Sequence, residues 1–303
     1  MEGAGFALLT VLTTAAWTLV LRLVMETWPV GLAGTVSRIV TLAALGGWVL
    51  STGRGWRRLR LDGLHAQIAL MGVISIAINL LLFASLKWTT ATNQALLFRL
   101  DLVFAVLIGG LLGLEHIGPG QLMLLPVMLA GMALVTGISQ FDWHGRLVGD
   151  LMVTVSAACF AANAFVIRNI LRRMDEEAVA LYNHGISMLG FVGLALVAGE
   201  LSVARDSLQR SGAWLWVVVL GSISAVSLPL YYAALRRMAI WKLRAWMLTT
   251  PVAVAAVEWP LWGNRLSLTQ CLGAAMVLGG LAVLIRVESR TMARWDEESP
   301  AAS

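Results

Sequence analysis

The stretch "AAWTLVLR", residues 15–22, is followed 146 residues later by the similar stretch "AANAFVIR", residues 161–168. Further matches occur at an offset of 149 and then 150 residues. They pair Gly72, Ser75, Phe83, Ala84, Leu86, Ala95 and Gly113 with Gly221, Ser224, Tyr232, Ala233, Leu235, Ala245 and Gly263. Since matches extend through both halves of the 303-residue chain, the sequence predicts a duplicated fold.

The composition is that of a membrane protein. Hydrophobic residues make up 59% of the chain and charged residues 13%, with a mean hydropathy of +0.81. Soluble proteins average about 25% charged residues. Apolar runs of about 20 residues, the length that crosses a bilayer, recur throughout. We predict ten continuous transmembrane helices, at residues 5–24, 31–51, 65–86, 91–113, 119–138, 149–167, 178–198, 214–235, 241–262 and 268–285.

The loop charges predict an orientation in the membrane. If the N-terminus is cytoplasmic, 14 of the 22 Lys and Arg residues lie in inner loops or the tail and six lie in outer loops. This bias predicts a plasma (inner) membrane protein with both termini in the cytoplasm. Ten helices in two repeats make five helices in each repeat. Because an odd number of spans ends on the opposite side of the membrane, the second repeat must be inverted relative to the first. We expect the first repeat at 1–141, the second at 142–286, and a frayed polar tail at 287–303.

Enzyme and ATPase signatures are missing from the sequence. No G-x-x-x-x-G-K-[ST] or G-x-S-x-G motif occurs. The four histidines lack the spacing of a metal site. We therefore expect no catalytic activity, no cofactor and no metal. The net charge of +5 is explained by topology, so we expect no nucleic-acid partner.

Charged residues inside the predicted spans are candidate functional groups. A charge at mid-membrane costs at least ~2.5–3.5 kcal/mol, so each needs a partner or a wet cavity. Asp101 lies about ten residues into the fourth span, and Arg99 points away from it on the same helix. Arg38, at similar depth in the second span, is the expected partner of Asp101. Asp101 either titrates or contacts a substrate, or it forms a buried ion pair with Arg38 or with an arginine across a helix interface.

Two equivalent helix faces also carry polar or special residues. In the fourth span this face holds Gln94 and Asp101, and in the ninth it holds Arg244, Pro251 and Glu258. Such faces are expected to line a common cavity at the pseudo-two-fold axis. For Glu258, near the end of its helix, simple contact with solvent is the alternative.

Several polar and aromatic side chains are weaker candidates. A single amide in a span often only bonds a neighbouring helix, and a deep tryptophan often belongs to the core. Prolines at 229, 251 and 260 predict bends in the eighth and ninth spans. The remaining candidates are Asn79, Asn93, Asn163, Tyr231, Tyr232, Trp17 and Trp246.

Two stretches resemble the end of a repeat in EamA-type proteins of the drug/metabolite transporter superfamily. They are "LTTPVAVAAVEWPLWGNRLSLTQCLGAAMVLGGLAVL" (248–284) and "LIGGLLGLEHIGPGQLMLLPVMLAGMALV" (107–135). Glu115 occupies the Gly-x-Glu position of that pattern. The chain departs from it at Asp101, where the family tends to have proline, and at Arg265, where it tends to have glutamate.

The resemblance implies an all-α membrane protein of ten transmembrane helices, built as two inverted five-helix repeats around a central cavity. It also implies alternating access and secondary transport of small metabolites, often amino acids and often outward. The expected partners are a small-molecule substrate and the lipid bilayer, with protons and a second copy of the chain as further candidates. Export of amphipathic drugs or lipid-like molecules, and a scaffold without transport, are the alternatives.

Overall fold

The described parts of the chain are helical throughout. A computed structural model describes residues 2–51, 59–85, 87–138, 147–203, 213–262 and 267–298, and no strand occurs in these ranges. The helices are α1 Glu2–Met25, α2 Val30–Ser51, α3 His65–Ser85, α4 Ala91–Leu97, α5 Leu100–Leu111, α6 Pro119–Thr136, α7 Leu147–Ile170, α8 Glu176–Val197, α9 Ala213–Arg237, α10 Ile240–Met247, α11 Thr250–Trp262 and α12 Leu268–Glu298.

The helices reproduce the ten predicted spans. Nine stretches of the described residues are long and apolar enough to cross a membrane, one of them being α4 with α5. The remaining span consists of α10 and α11. The fold is therefore that of a multi-pass membrane protein with two repeats. We call the end where α1 begins proximal and the opposite end distal; successive spans alternate in direction between them.

The fourth and ninth spans are interrupted, where the prolines had predicted a bend in the ninth span and nothing had predicted one in the fourth. The interruptions, at residues 98–99 and 248–249, are 150 residues apart, which is the repeat offset. In the fourth span, the Asp101 and Leu102 amides donate to carbonyls three residues back, at 3.1 and 3.2 Å. In the ninth, Pro251 has no amide hydrogen to donate. Because the fourth span breaks without proline, proline alone does not explain this shared feature.

Two other helices differ from expectation. Helix α9 runs from Ala213 to Arg237 as one helix and accommodates Pro229. Helix α12 continues to Glu298, beyond the predicted end of the last span at residue 285. The predicted departure at Arg265 lies outside the described residues, as do the loop arginines at 54, 57, 58, 146, 205 and 210.

The helix contacts follow the repeat. Helix α1 packs on α9, and its counterpart α7 packs on α3, the counterpart of α9. Helix α2 packs on its own counterpart α8, and α6 packs on α12. The first helix of each half thus lies against the third helix of the other half, as an inverted duplication requires.

Two equivalent glycines allow neighbouring helices to approach closely. A Cβ atom at Gly72 would lie 2.5 Å from the Ile186 side chain, and one at Gly221 would lie 2.8 Å from Cβ of Val40. Gly221 follows Gly72 by 149 residues and Ile186 follows Val40 by 146 residues. The same small-residue contact therefore joins α3 to α8 and α9 to α2.

Candidate functional site

A cavity of about 290 Å³ lies in the middle of the bundle, between α1, α2, α7, α8, α9 and the end of α10. We call it the central cavity. Its position matches the cavity that the family resemblance implied. Polar groups on several helices converge on it, which is typical of a solute site. They are Thr10, Thr14, Trp17, Arg38, His184, Ser224, Ser227 and Tyr231.

Arg38 and His184 occupy equivalent places in the two repeats. Each is the ninth residue of a 22-residue helix, Arg38 in α2 and His184 in α8. Arg38 and Trp17 also border a second, smaller cavity of about 90 Å³ on the distal side, which Asn79 lines as well. Arg38 and Trp17 therefore stand between the two cavities.

The contacts of Arg38 leave part of its guanidinium group available. Its Nε donates to Ser187 Oγ at 3.3 Å, and the group lies 5.4 Å from the centre of the Phe191 ring. No described carboxylate lies within ion-pairing distance of Arg38. The expectation of an Arg38–Asp101 pair was therefore wrong, because Arg244 of α10 pairs with Asp101 instead.

Two further groups in the cavity wall are buried without a protein partner. They are His184 Nε2 and Tyr231 Oη. Leaving a buried polar atom unpaired costs about 1–3 kcal/mol, so such atoms at a cavity indicate a place for a polar solute. With the Arg38 guanidinium, the cavity offers a cation, a phenol hydroxyl and an imidazole nitrogen.

One hydrogen bond near the cavity occurs twice, at equivalent places. Trp17 Nε1 donates to Ser224 Oγ at 3.0 Å, and Asn163 Nδ2 donates to Ser75 Oγ at 3.0 Å. Asn163 is 146 residues after Trp17, and Ser224 is 149 residues after Ser75. Each bond joins the first helix of one repeat to the third helix of the other. Asn163 thus holds helices together and does not line the central cavity.

Asp101 and Arg244 form a buried ion pair behind the cavity wall. Asp101 Oδ2 lies 3.3 Å from Arg244 Nη1, and their side chains are 3% and 1% exposed. The Arg244 guanidinium lies 3.9 Å from the centre of the Phe160 ring, and its Nη2 donates to the Phe160 carbonyl at 3.2 Å. Phe160 lines the central cavity, as does Tyr231, whose ring centre lies 5.5 Å from the same guanidinium, so the pair touches the cavity through these two rings.

The polar faces expected to share one cavity meet at the Asp101–Arg244 pair but do not line a common cavity. Gln94 donates to the Leu82 carbonyl at 2.6 Å, which ties α4 to α3. Pro251 and Glu258 line a third cavity of about 420 Å³, which we call the distal cavity. Arg99 also lies there. The difference arises because the interruptions in the fourth and ninth spans place residues before and after them in different surroundings.

The other candidates have structural partners. Asn93 contacts Thr90 and Asp150 at the start of α4. The Tyr232 hydroxyl accepts a hydrogen bond from Asn183 Nδ2. Trp246 is partly buried and packs against the apolar core. Glu258 pairs with Arg22 at 2.9 Å.

Sequence reasoning missed His184, Ser187, Ser224, Ser227, Thr10 and Thr14 as site residues. A signal for the first was present. The 146-residue offset of the opening match, continued into the second span, pairs Arg38 with His184. The hydroxyl residues had no such signal, since serine and threonine occur throughout the spans.

The comparisons with known proteins agree with this architecture. The profile of the EamA-like transporter family matches residues 1–137 and again residues 147–286. The chain belongs to the EamA-like transporter family. This makes it a transporter of the drug/metabolite transporter superfamily and confirms the resemblance. The two matches also agree with the duplication inferred from the repeats.

Individual relatives extend over much of this EamA-family chain. Two proteins of Archaeoglobus fulgidus, each named an uncharacterized transporter, are 24% and 22% identical over 205 and 201 residues. These alignments cover 67% and 66% of this chain and 70% and 68% of the relatives. A solved structure described only as the crystal structure of a protein has a TM-score of 0.76. It is 18% identical, covers 93% of this chain and 96% of that one, and shows the fold alone.

Proposed function

We propose that this EamA-family protein is a secondary transporter that exports small carboxylate-bearing metabolites, amino acids or related solutes, across the plasma membrane. The observation that carries the proposal is Arg38 in the central cavity without a carboxylate partner. A guanidinium group binds a carboxylate through two parallel hydrogen bonds, and burial strengthens such bonds. The loop charges support cytoplasmic termini.

The rest of the cavity wall complements such a solute. The unpartnered Tyr231 hydroxyl and His184 nitrogen offer hydrogen bonds to polar groups near the carboxylate. The faces of Trp17 and Phe160 can pack on a side chain, and aromatic rings also attract an ammonium group. An amino acid or a related organic acid satisfies this combination.

The placement of Arg38 also suits alternating access. Arg38 and Trp17 separate the central cavity from the smaller cavity on the distal side. In our proposal, the helices around these two residues move so that the carboxylate site faces each side in turn. The inverted repeats supply two related arrangements of the same contacts for this exchange.

Asp101 is our candidate for proton coupling, acting through the cavity wall. Its partner Arg244 packs on Phe160, which a bound solute would touch. A solute that displaces this ring would weaken the ion pair and allow Asp101 to take up a proton. Replacement of Asp101 by asparagine should then remove the dependence of flux on a pH gradient.

Cavity size favours this proposal over export of amphipathic drugs. The central cavity, at about 290 Å³, lies at the lower limit of the ~300–1,000 Å³ typical of sites for drug-sized molecules. The scaffold alternative predicts no saturable flux of any solute, so a transport assay distinguishes all three.

The decisive experiment is efflux of labelled amino acids and organic acids from proteoliposomes. Arg38→Gln should reduce carboxylate transport roughly 10- to 100-fold, as expected for losing hydrogen bonds worth about 1.5–3 kcal/mol. Arg22→Gln is the matched control, because Arg22 is exposed and does not line the central cavity. Unchanged transport in Arg38→Gln, or no carboxylate flux in the native protein, would refute the proposal.

A further inference from the structure

We propose that the protein has a second solute site, for a small organic carboxylate, in the distal cavity between the interrupted fourth and ninth spans. This cavity shares no lining residue with the central cavity. Its volume of about 420 Å³ exceeds that of the central cavity, so it can hold more than an inorganic ion. The proposal does not depend on the solute that the central cavity binds.

Arg99 supplies the positive charge of the second site. It lies at the interruption of the fourth span, as the residue that precedes the first turn of α5, and it lines the distal cavity. No described carboxylate lies within ion-pairing distance of Arg99, because the nearby Asp101 pairs with Arg244. A cation at this depth in a membrane protein requires a counter-charge, and the cavity provides the space for one.

Thr250 supplies a second, independent feature of the site. It is the first residue of α11, it is 2% exposed, and its hydroxyl has no protein partner. It lines the same cavity as Arg99. An anion there would receive a hydrogen bond from Thr250 and an ion pair from Arg99.

The other residues that line the distal cavity indicate which class of anion it would bind. Val135, Val254 and Ala255 form apolar surface, which suits a short hydrocarbon body better than a hydrated inorganic ion. Glu258 lines the cavity towards the distal end and is 24% exposed in its pair with Arg22. The distal cavity therefore communicates with the aqueous phase, and the ligand is a water-soluble monocarboxylate.

The duplication predicts one such site and not two. The positions equivalent to Arg99 and Thr250, at the offset of 150 residues, are Thr249 and Leu100. Neither carries a charge, so the proximal side lacks the cation that the site requires. The second site is a feature of one repeat alone.

Calorimetric titration of the purified full-length protein with butanoate tests the proposal, with butanamide and butylammonium as controls. We expect butanoate to bind and both controls to bind at least roughly 10-fold more weakly. Arg38→Gln removes the cation of the central cavity and should leave one butanoate site. In that background, Arg99→Gln should weaken the remaining butanoate binding by a similar factor, and Arg99→Lys should restore part of it.

A second measurement covers variants that fold poorly. In a chain with Cys159→Ala and Cys271→Ala, Thr250→Cys should react with a small thiol reagent, and butanoate should slow this reaction. Absence of protection by butanoate would overturn the proposal. So would full retention of the remaining binding when Arg99→Gln is added to Arg38→Gln. Complete loss of butanoate binding in Arg38→Gln alone would also overturn it, because the only carboxylate site would then lie in the central cavity.

Discussion

Equivalent arginines hold the two ends of the helix bundle, but their surroundings differ. Arg168, which ends the second copy of the opening stretch, pairs with Glu115 at 2.5 Å at the proximal end. Arg22, which ends the first copy, pairs with Glu258 at 2.9 Å at the distal end. We call these contacts the proximal and distal clasps. The Glu115 side chain is 2% exposed, whereas that of Glu258 is 24% exposed.

The proximal clasp also has more partners. Glu115 accepts hydrogen bonds from the Ile240 amide at 2.6 Å and the Trp241 amide at 3.2 Å, so it caps the start of α10. At the same end of the bundle, Glu176 at the start of α8 pairs with Arg236 and Arg237 at 3.0 and 3.1 Å. Glu258 pairs with Arg22 alone among the described residues.

The comparison teaches that an equivalent position does not give an equivalent interaction energy. A buried carboxylate with several donors resists separation, because its removal leaves those donors unpaired. An exposed pair contributes little, since water replaces either partner. The proximal clasp is therefore held more tightly than the distal clasp in this conformation.

The largest effect on stability is expected for the Asp101–Arg244 pair in the middle of the bundle. Asp101→Asn leaves the Arg244 charge buried without a counter-charge, and we expect a loss of roughly 3–5 kcal/mol in the free energy of unfolding. Equilibrium unfolding in mixed micelles measures it. Asp101→Asn combined with Arg244→Met should recover much of the loss. A cost below about 1 kcal/mol for the single variant would show that the pair is hydrated.

The second-largest loss of stability is expected from breaking the proximal clasp. Glu115→Gln removes the charge that Arg168 and two backbone amides share, and we expect it to cost about 1.5–3 kcal/mol in the same assay. Glu115→Asp, which keeps the charge on a shorter side chain, serves as the control and should cost less. Similar stability of Glu115→Gln and the native protein would contradict the proposed tightness of this end.

A smaller loss of stability is expected at the other ion-pair contact of the proximal end, which Glu176 makes with Arg236 and Arg237. Glu176→Gln should cost about 1 kcal/mol, because Arg236 keeps its bonds to the Leu171 and Met174 carbonyls. Thermal unfolding of the purified variant suffices to measure this. If Glu176→Gln costs more than Glu115→Gln, the main proximal contact lies at Glu176.

The smallest effect is expected at the distal clasp. Glu258→Gln should cost about 0.2–1 kcal/mol, and this cost should fall in about 1 M salt, where the Debye length shrinks to roughly 3 Å and exposed pairs weaken. The Glu115→Gln cost should persist at the same salt concentration. Equal costs and equal salt dependence for the two variants would break the comparison between the two ends.

Hydropathy and internal matches predicted most of the fold, because both depend on local composition. The span bounds agree with the helices to within a few residues over most of the chain. The interruption at residues 98–99 was not predicted, whereas Pro251 had predicted a bend beside the one at 248–249. An apolar sequence fits a continuous helix equally well, and only the packed structure selects the tighter turn.

The site was less predictable for a geometric reason. Depth in the membrane placed Arg38 at the same level as Asp101. Depth alone cannot show which helices are neighbours in the bundle. Helix α10 brings Arg244 to Asp101, and Arg38 instead faces a cavity that hydroxyl residues complete. Arg244 had been noted on a special face, yet its charge was not matched to that of Asp101.

The repeated hydrogen bond between the first and third helices has a consequence for ancestry. Trp17 to Ser224 and Asn163 to Ser75 are one contact made in both directions between the halves. Two separate half-length chains, inserted in opposite directions and paired side by side, would form this contact twice. The donor is an indole in one half and an amide in the other, while the serine acceptor is the same. The contact is the one expected if an antiparallel dimer of half-length chains were joined into a single chain.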